Sequence, residues 1–268
     1  MVTGILSEVG KHVSSRWVTA VFLPGLLLVA VATAGCHLGH AHALDAGELA
    51  DWVDRLAREA HRRPARAAVA AGVALLAAGL AGTVAAELGG AVERWWLRTG
   101  PGHGGRRRAR ALRAAERNGI STVDAYLPQR PTWMSDRVRL IEARIRAQHW
   151  FDAVTAWPRL WLLLSDEERR PVAEARIGFA EAVTLAGWGC LYGIAGIFWW
   201  PALVTAACVL LTSWRRARSG LEEFATLVEA VVDIRHRALA DALGVPLGDG
   251  GMTEAEGRRI DDILRKGG

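Results

Sequence analysis

Hydrophobic and polar positions along this chain segregate into long blocks, and the longest apolar block, Ile177 to Trp214, carries a single charge, Glu181. As one helix this block would be about 57 Å long, close to twice the roughly 30 Å hydrocarbon thickness of a bilayer. It therefore reads as two crossings, 177–198 and 199–214, joined by a tight turn at Phe198-Trp199-Trp200-Pro201. Proline is pre-set for the first turn of a new helix, and tryptophan suits the lipid headgroup level. Trp17, Trp199, Trp200 and Trp214 are the expected interface anchors.

Two earlier blocks, 17–36 and 66–87, have the length and composition of crossings. The first follows Lys11 and Arg16 and contains Pro24-Gly25, a kink that a membrane helix tolerates. A signal peptide competes for the same residues, because Ala32-Thr33-Ala34 mimics a cleavage site and Thr33-Ala34-Gly35-Cys36 a lipoprotein signal. Its apolar core is longer than a cleavable signal normally carries, which favours a retained anchor. The second block is rich in small residues, and Ala78, Gly82 and Ala86 recur every fourth position, as do Gly189 and Gly193. That spacing lets helix backbones approach closely. The expected fold class is all-α: a multi-pass helical membrane protein with four transmembrane helices, two plus a C-terminal hairpin, and a helical cytoplasmic region.

Between the blocks the period shortens to that of amphipathic helices. Segment 37–65 places Leu49, Trp52, Val53 and Leu56 on one face of a short external helix. In 88–176, a connector at 100–105 precedes an Arg-rich helix over 106–117 that Asn118-Gly119 should stop. Pro128 and Pro131 mark 120–133 as loop, and Ser135 or Asp136 should cap a helix over 136–153. Residues 157–164 are apolar but too short to cross a bilayer, which leaves an interfacial or core segment. Ser165 to Glu168 is a capping box for the helix entering the third span.

In 215–268, Leu221, Phe224, Leu227, Val228, Val231 and Ile234 form the apolar face of a helix ending near Gly244. That face fits either a coiled coil interrupted by Arg235 or docking on the central region. Thr253 to Glu256 should cap a last, peripheral helix.

Charge supplies the orientation. Of the 33 lysines and arginines, 28 fall in 1–16, 87–176 and 215–268. Basic residues concentrate on the cytoplasmic side, so the expected location is a bacterial cytoplasmic membrane with both termini inside. The net charge of +5 is carried by 31 arginines against only Lys11 and Lys266, the bias of a GC-rich genome. Basic loops beside spans account for it without nucleic acid. Arg106, Arg107, Arg108, Arg110 and Arg113 form a patch suited to anionic lipid headgroups.

Candidate chemistry is sparse. Cys36, His37, His40 and His42 offer a thiol and three imidazoles within seven residues, a set that zinc or copper would accept if the helix end unwound. Their spacing matches no known site, and histidine at a membrane interface is the plainer reading. Glu87 and Glu181 are carboxylates at span edges, where pairing with Arg94 and Arg176 outweighs a proton path. No HExxH, GxSxG or paired CxxC occurs, and the Gly-rich 100–105 lacks the Lys-Ser/Thr of a phosphate loop. The three cysteines all lie in apolar runs and form no disulfide framework.

The expectation is a non-enzymatic membrane anchor or regulatory module without cofactor, whose helical cytoplasmic region binds a protein partner or a second copy, with membrane lipids as the surroundings. The alternatives are an oligomeric channel or permeabilising effector assembled through the glycine-rich spans, and an intramembrane transporter or metal-dependent enzyme.

Overall fold

The computed structural model describes residues 23–99, 104–117, 127–248 and 251–265. Among them are nine helices and no strand. They are α1 (Leu23–Leu38), α2 (Ala46–Arg62), α3 (Pro64–Trp96), α4 (Gly104–Arg117), α5 (Trp133–His149), α6 (Ala153–Leu163), α7 (Asp166–Ala195), α8 (Trp200–Ala242) and α9 (Glu254–Leu264). The start of the first expected span, with Trp17, lies outside the described residues, as do most of the 100–105 connector and Asn118-Gly119.

Two helices, α3 and α7, are long and apolar enough to cross a membrane. Over its described residues α1 is an apolar helix of 16 residues, about 24 Å, shorter than a bilayer core. The apolar start of α8 reaches only to Trp214 before Arg215 and Arg216.

The chain divides into two units. The first comprises the described residues up to Val92 with Glu181–Arg215. Its helices meet through small residues. The buried stripe on α3 is Ala78, Gly82, Ala85 and Gly89. Ala86, grouped with Ala78 and Gly82 by its spacing, is exposed. Two successive steps of four overshoot a 3.6-residue turn, and alternating steps of four and three keep a seam on one face. On α7 the residue facing this seam is Gly187. A Cβ there would overlap the Ala85 carbonyl, and a Cβ on Gly89 would come within 2.6 Å of the Val183 carbonyl oxygen.

Gly189 faces α8 instead, where a Cβ would meet Leu210 at 2.7 Å, and Gly193 lies opposite Ala206. Ser213 donates to the Ala182 carbonyl at 2.7 Å and ties α8 to α7 from a fully buried position. Gly25 of α1 sits against the backbone of Ala78.

The turn before α8 is the one expected at the tryptophans. Trp199 donates its indole N–H to the Ala43 carbonyl at 3.1 Å and packs on Gly35, while α8 starts at Trp200 with Pro201 in its first turn. The outward faces of α3 remain apolar: Val69, Val73, Leu76 and Leu80 are exposed, and only 11% of its most apolar stretch is buried.

The second unit comprises the described residues of Glu93–Ala180 and Arg216–Gly268. Its core gathers Ile141 and Ile145 from α5, Phe151, Leu160 from α6, Val232 and Leu239 from α8, and Ile260 and Leu264 from α9. Three of its boundaries differ from the sequence expectation. α5 starts at Trp133, because Thr132 accepts from the Ser135 N–H at 3.1 Å and serves as the cap. Asp136, freed from capping, accepts from the backbone N–H groups of Gln129 and Arg130 and pairs with Arg139.

The same helix ends at His149, where Trp150 adopts a left-handed backbone at φ 60°. α8 runs through Gly220 without a break, and a Cβ on that glycine would come within 3.3 Å of the Phe179 nitrogen. α9 is no peripheral helix: its Gly257 packs on Trp150 and its Asp261 accepts from the Asp152 N–H at 3.1 Å, closing the corner between α5 and α6.

Arg235 does not interrupt a seam in this fold. Its Nε donates to Glu168 at 3.1 Å, the carboxylate that also caps α7 by accepting from the Ser165 N–H at 2.9 Å. The Ser165 bond first and Arg235 second hold the Glu168 carboxyl at about 2, well below its ordinary 4.5. A carboxylate with a depressed folded-state value stabilises the fold fully above the unfolded value and ceases to do so as pH falls through the folded one. Wild-type protein should therefore exceed Glu168→Gln in unfolding midpoint at neutral pH, lose that advantage from about pH 4.5 downward, and converge with it near pH 2. Parallel midpoint-versus-pH curves in chemical denaturation would overturn this.

Candidate functional site

In the second unit α5 and the distal part of α8 run alongside each other in a register set by polar pairs. Arg137 bonds Glu222 at 2.8 Å, Arg144 bonds Glu229 at 3.5 Å, and both steps are seven residues long. Equal steps in the same direction mean that the two helices run parallel. The series ends at His149, which is buried and donates from Nε2 to the Asp233 carboxylate at 2.9 Å. The His236 ring packs against that of His149, tilted by 39° at 4.8 Å, and donates from Nδ1 to the Asp233 carbonyl.

Asp233 fixes the orientation of the His149 ring, and their bond closes the polar series between the two helices.

Above the polar pairs the helices leave an apolar cleft of about 240 Å³. Val138 and Ile141 of α5 form one wall, Ala153, Val154 and Trp157 of α6 the second, and Leu221, Phe224 and Val228 of α8 the third. Glu142 stands at its polar edge, 3.7 Å from Arg130. Leu221 and Phe224, singled out by periodicity, line this cleft, whereas Ile234 from the same pattern is 72% exposed. The buried face of α8 carries Ala217, Leu221, Ala225, Val232 and Leu239.

Trp157 and Phe224 also line a second cleft of about 730 Å³, completed by Pro158, Trp161 and Leu162 of α6 and by Val172, Ala173, Arg176 and Ile177 of α7. Residues 157–164 are divided between the core and the surface. Leu160 and Leu164 enter the core, while Leu162 is 75% exposed.

The remaining sequence candidates are placed as follows. His37 stacks on Trp52 at 5.4 Å, and its Nε2 accepts from Arg55 at 3.3 Å. Its lone pair is therefore engaged. His40 donates from Nε2 to the Ile197 carbonyl, and His42 faces Glu48 at 3.8 Å. The three rings have separate partners, and no group of His, Cys, Asp or Glu among the described residues is disposed to hold a metal ion. Cys36 stays on the α1 helix, exposed.

Glu87 and Glu181 lie on exposed faces of α3 and α7. Trp200 and Trp214 are both exposed at about 40%. Arg108, Arg110 and Arg113 lie along α4, the latter two exposed, while the side chains of Arg106 and Arg107 lie outside the described residues. The α2 helix begins at its Asp45 cap and buries none of its residues, so Val53 and Leu56 face outward.

The clefts escaped sequence reading because their walls come from three helices distant in sequence. The local signal was a tryptophan pair, Trp157 and Trp161, one turn apart in a segment too short to cross a bilayer. Comparison with known proteins yields no matching family model, no matching curated protein and no matching solved structure.

Proposed function

We propose that this chain is a four-span, non-enzymatic membrane anchor of a bacterial cytoplasmic membrane, with both termini inside, whose second unit recruits a protein partner. The observation that carries the reading is the apolar cleft of α5, α6 and α8, open at Val154 and Phe224 within an otherwise ion-paired helical unit. A cleft of this kind receives apolar side chains of a partner helix. The membrane placement is supported by α3, whose apolar faces are left uncovered by the described residues. The glycines that a channel reading assigns to assembly face other helices of this same chain: Gly82 is buried, Gly189 packs on Leu210 and Gly193 lies opposite Ala206.

Site-specific photo-cross-linking in native membranes tests the reading. A probe at Val154 should yield a discrete protein adduct that Phe224→Asp abolishes, whereas a probe at exposed Ile234 should not. In the same cells an impermeant thiol reagent should reach a cysteine placed at Arg58 and none placed at Gly248. Adducts insensitive to Phe224→Asp, or the reverse labelling pattern, would defeat the proposal.

A further inference from the structure

The larger cleft, between α6 and α7, differs from its neighbour in position and charge. Arg176 lines it, followed directly by Ile177, the residue at which the long apolar run of the chain begins. The cleft thus opens at the level where α7 changes from a charged to an apolar helix. Trp161 and Leu162 stand on its opposite wall, and Leu162 is turned outward.

Two arginines adjoin the cleft and have different surroundings. Arg169 is committed: Nε donates to the Trp161 carbonyl at 3.0 Å, one terminal nitrogen to the Leu162 carbonyl and the other to Asp166. It neutralises the carbonyl end of α6. Arg176 rests its guanidinium on the Phe179 ring at 5.7 Å and has no ion-pair partner among the described residues. Its charge is available at the mouth of an apolar cleft.

We propose that this cleft binds an anionic membrane phospholipid, with an acyl chain along Trp161, Leu162 and Ile177 and the phosphate on Arg176. The volume of about 730 Å³ is that of a small-molecule site. A cationic headgroup receptor beside tryptophans is the arrangement of an interfacial lipid contact, because arginine attracts anionic headgroups and tryptophan prefers the interface. A soluble apolar peptide would account for the walls but not for an unpaired arginine at the start of a membrane-length apolar run. The inference rests on the proposed crossing by α7.

The test uses the full chain in nanodiscs of phosphatidylcholine doped with either phosphatidylglycerol or phosphatidylcholine bearing a diazirine on the acyl chain. Labelled peptides are identified by mass spectrometry. Labelling by the phosphatidylglycerol probe should concentrate at 161–162 and 177, exceed that by the phosphatidylcholine probe at least fivefold, and fall to the latter level in Arg176→Glu. Leu162→Glu should reduce it for both probes, while labelling of exposed Leu76 and Leu80 on α3 stays constant in every sample. Equal labelling by the two probes, or none at 161–162 and 177 with α3 labelled, overturns the lipid site alone. Absence of label on α3 overturns the membrane reading beneath it. A protein adduct at Leu162 in native membranes in place of lipid would assign the cleft to a polypeptide.

Discussion

Gly187→Ala should lower stability by about 3 kcal/mol, the upper end for overpacking, whereas Gly90→Ala should leave it unchanged or raise it slightly. The two substitutions add the same methyl group to long apolar helices of the same unit. At Gly187 the new Cβ would overlap the Ala85 carbonyl and approach the Gly89 nitrogen at 2.9 Å, so every near neighbour is backbone. No side chain can rotate away, and the two helices must separate along their length. Separation also withdraws Val183 from Gly89. At Gly90 a Cβ meets nothing within 4 Å, and only the backbone preference of alanine for helix remains. Unfolding in a titrated SDS and mild-detergent mixture reads both effects. Equal midpoints for the two variants would mean that α3 and α7 do not cross at Gly187.

This contrast shows what the sequence made legible and what it concealed. The all-helical class followed from the periods, and the capping boxes at Ser165–Glu168 and Thr253–Glu256 are local devices that close on themselves, so they could be read without the fold. Small-residue spacing located the α3 seam but carried it to Ala86 in place of Ala85 and Gly89, because a step of four alone cannot follow a 3.6-residue turn.

Capping at Thr132 was missed because Asp136 is the stronger acceptor in isolation; its bonds to Gln129 and Arg130 exist only once the preceding loop has folded back. The clefts required three helices to be placed together. Gly257 was unreadable for the same reason, since nothing local reveals that a Cβ added there would lie 2.5 Å from that of Trp150.

The C-terminal half of α8 offers the clearest trial of the second unit. Val232→Asp should unfold that unit, costing several kcal/mol, while Ile234→Asp, two residues on, should change stability by no more than about 0.5 kcal/mol. Val232 is fully buried with Ile145, Leu160, Leu239 and Ile260, so a carboxylate there loses its water among aliphatic side chains. Ile234 is largely exposed and can accept a charge in solvent.

A coiled-coil seam through Leu227, Val231 and Ile234 demands the opposite ranking, because Ile234 would then be the knob and its substitution would dissociate the assembly. Limited proteolysis of purified full-length protein separates the two arrangements. Docking predicts rapid cleavage within 216–265 for Val232→Asp and wild-type resistance for Ile234→Asp. The distinction also bears on recruitment, because Leu221, Phe224 and Val228 keep the cleft open only while Val232 and Leu239 hold the distal part of α8 against α5 and α6. Val232→Asp should thus also remove the adduct formed by a probe at Val154, with Phe224 itself unaltered.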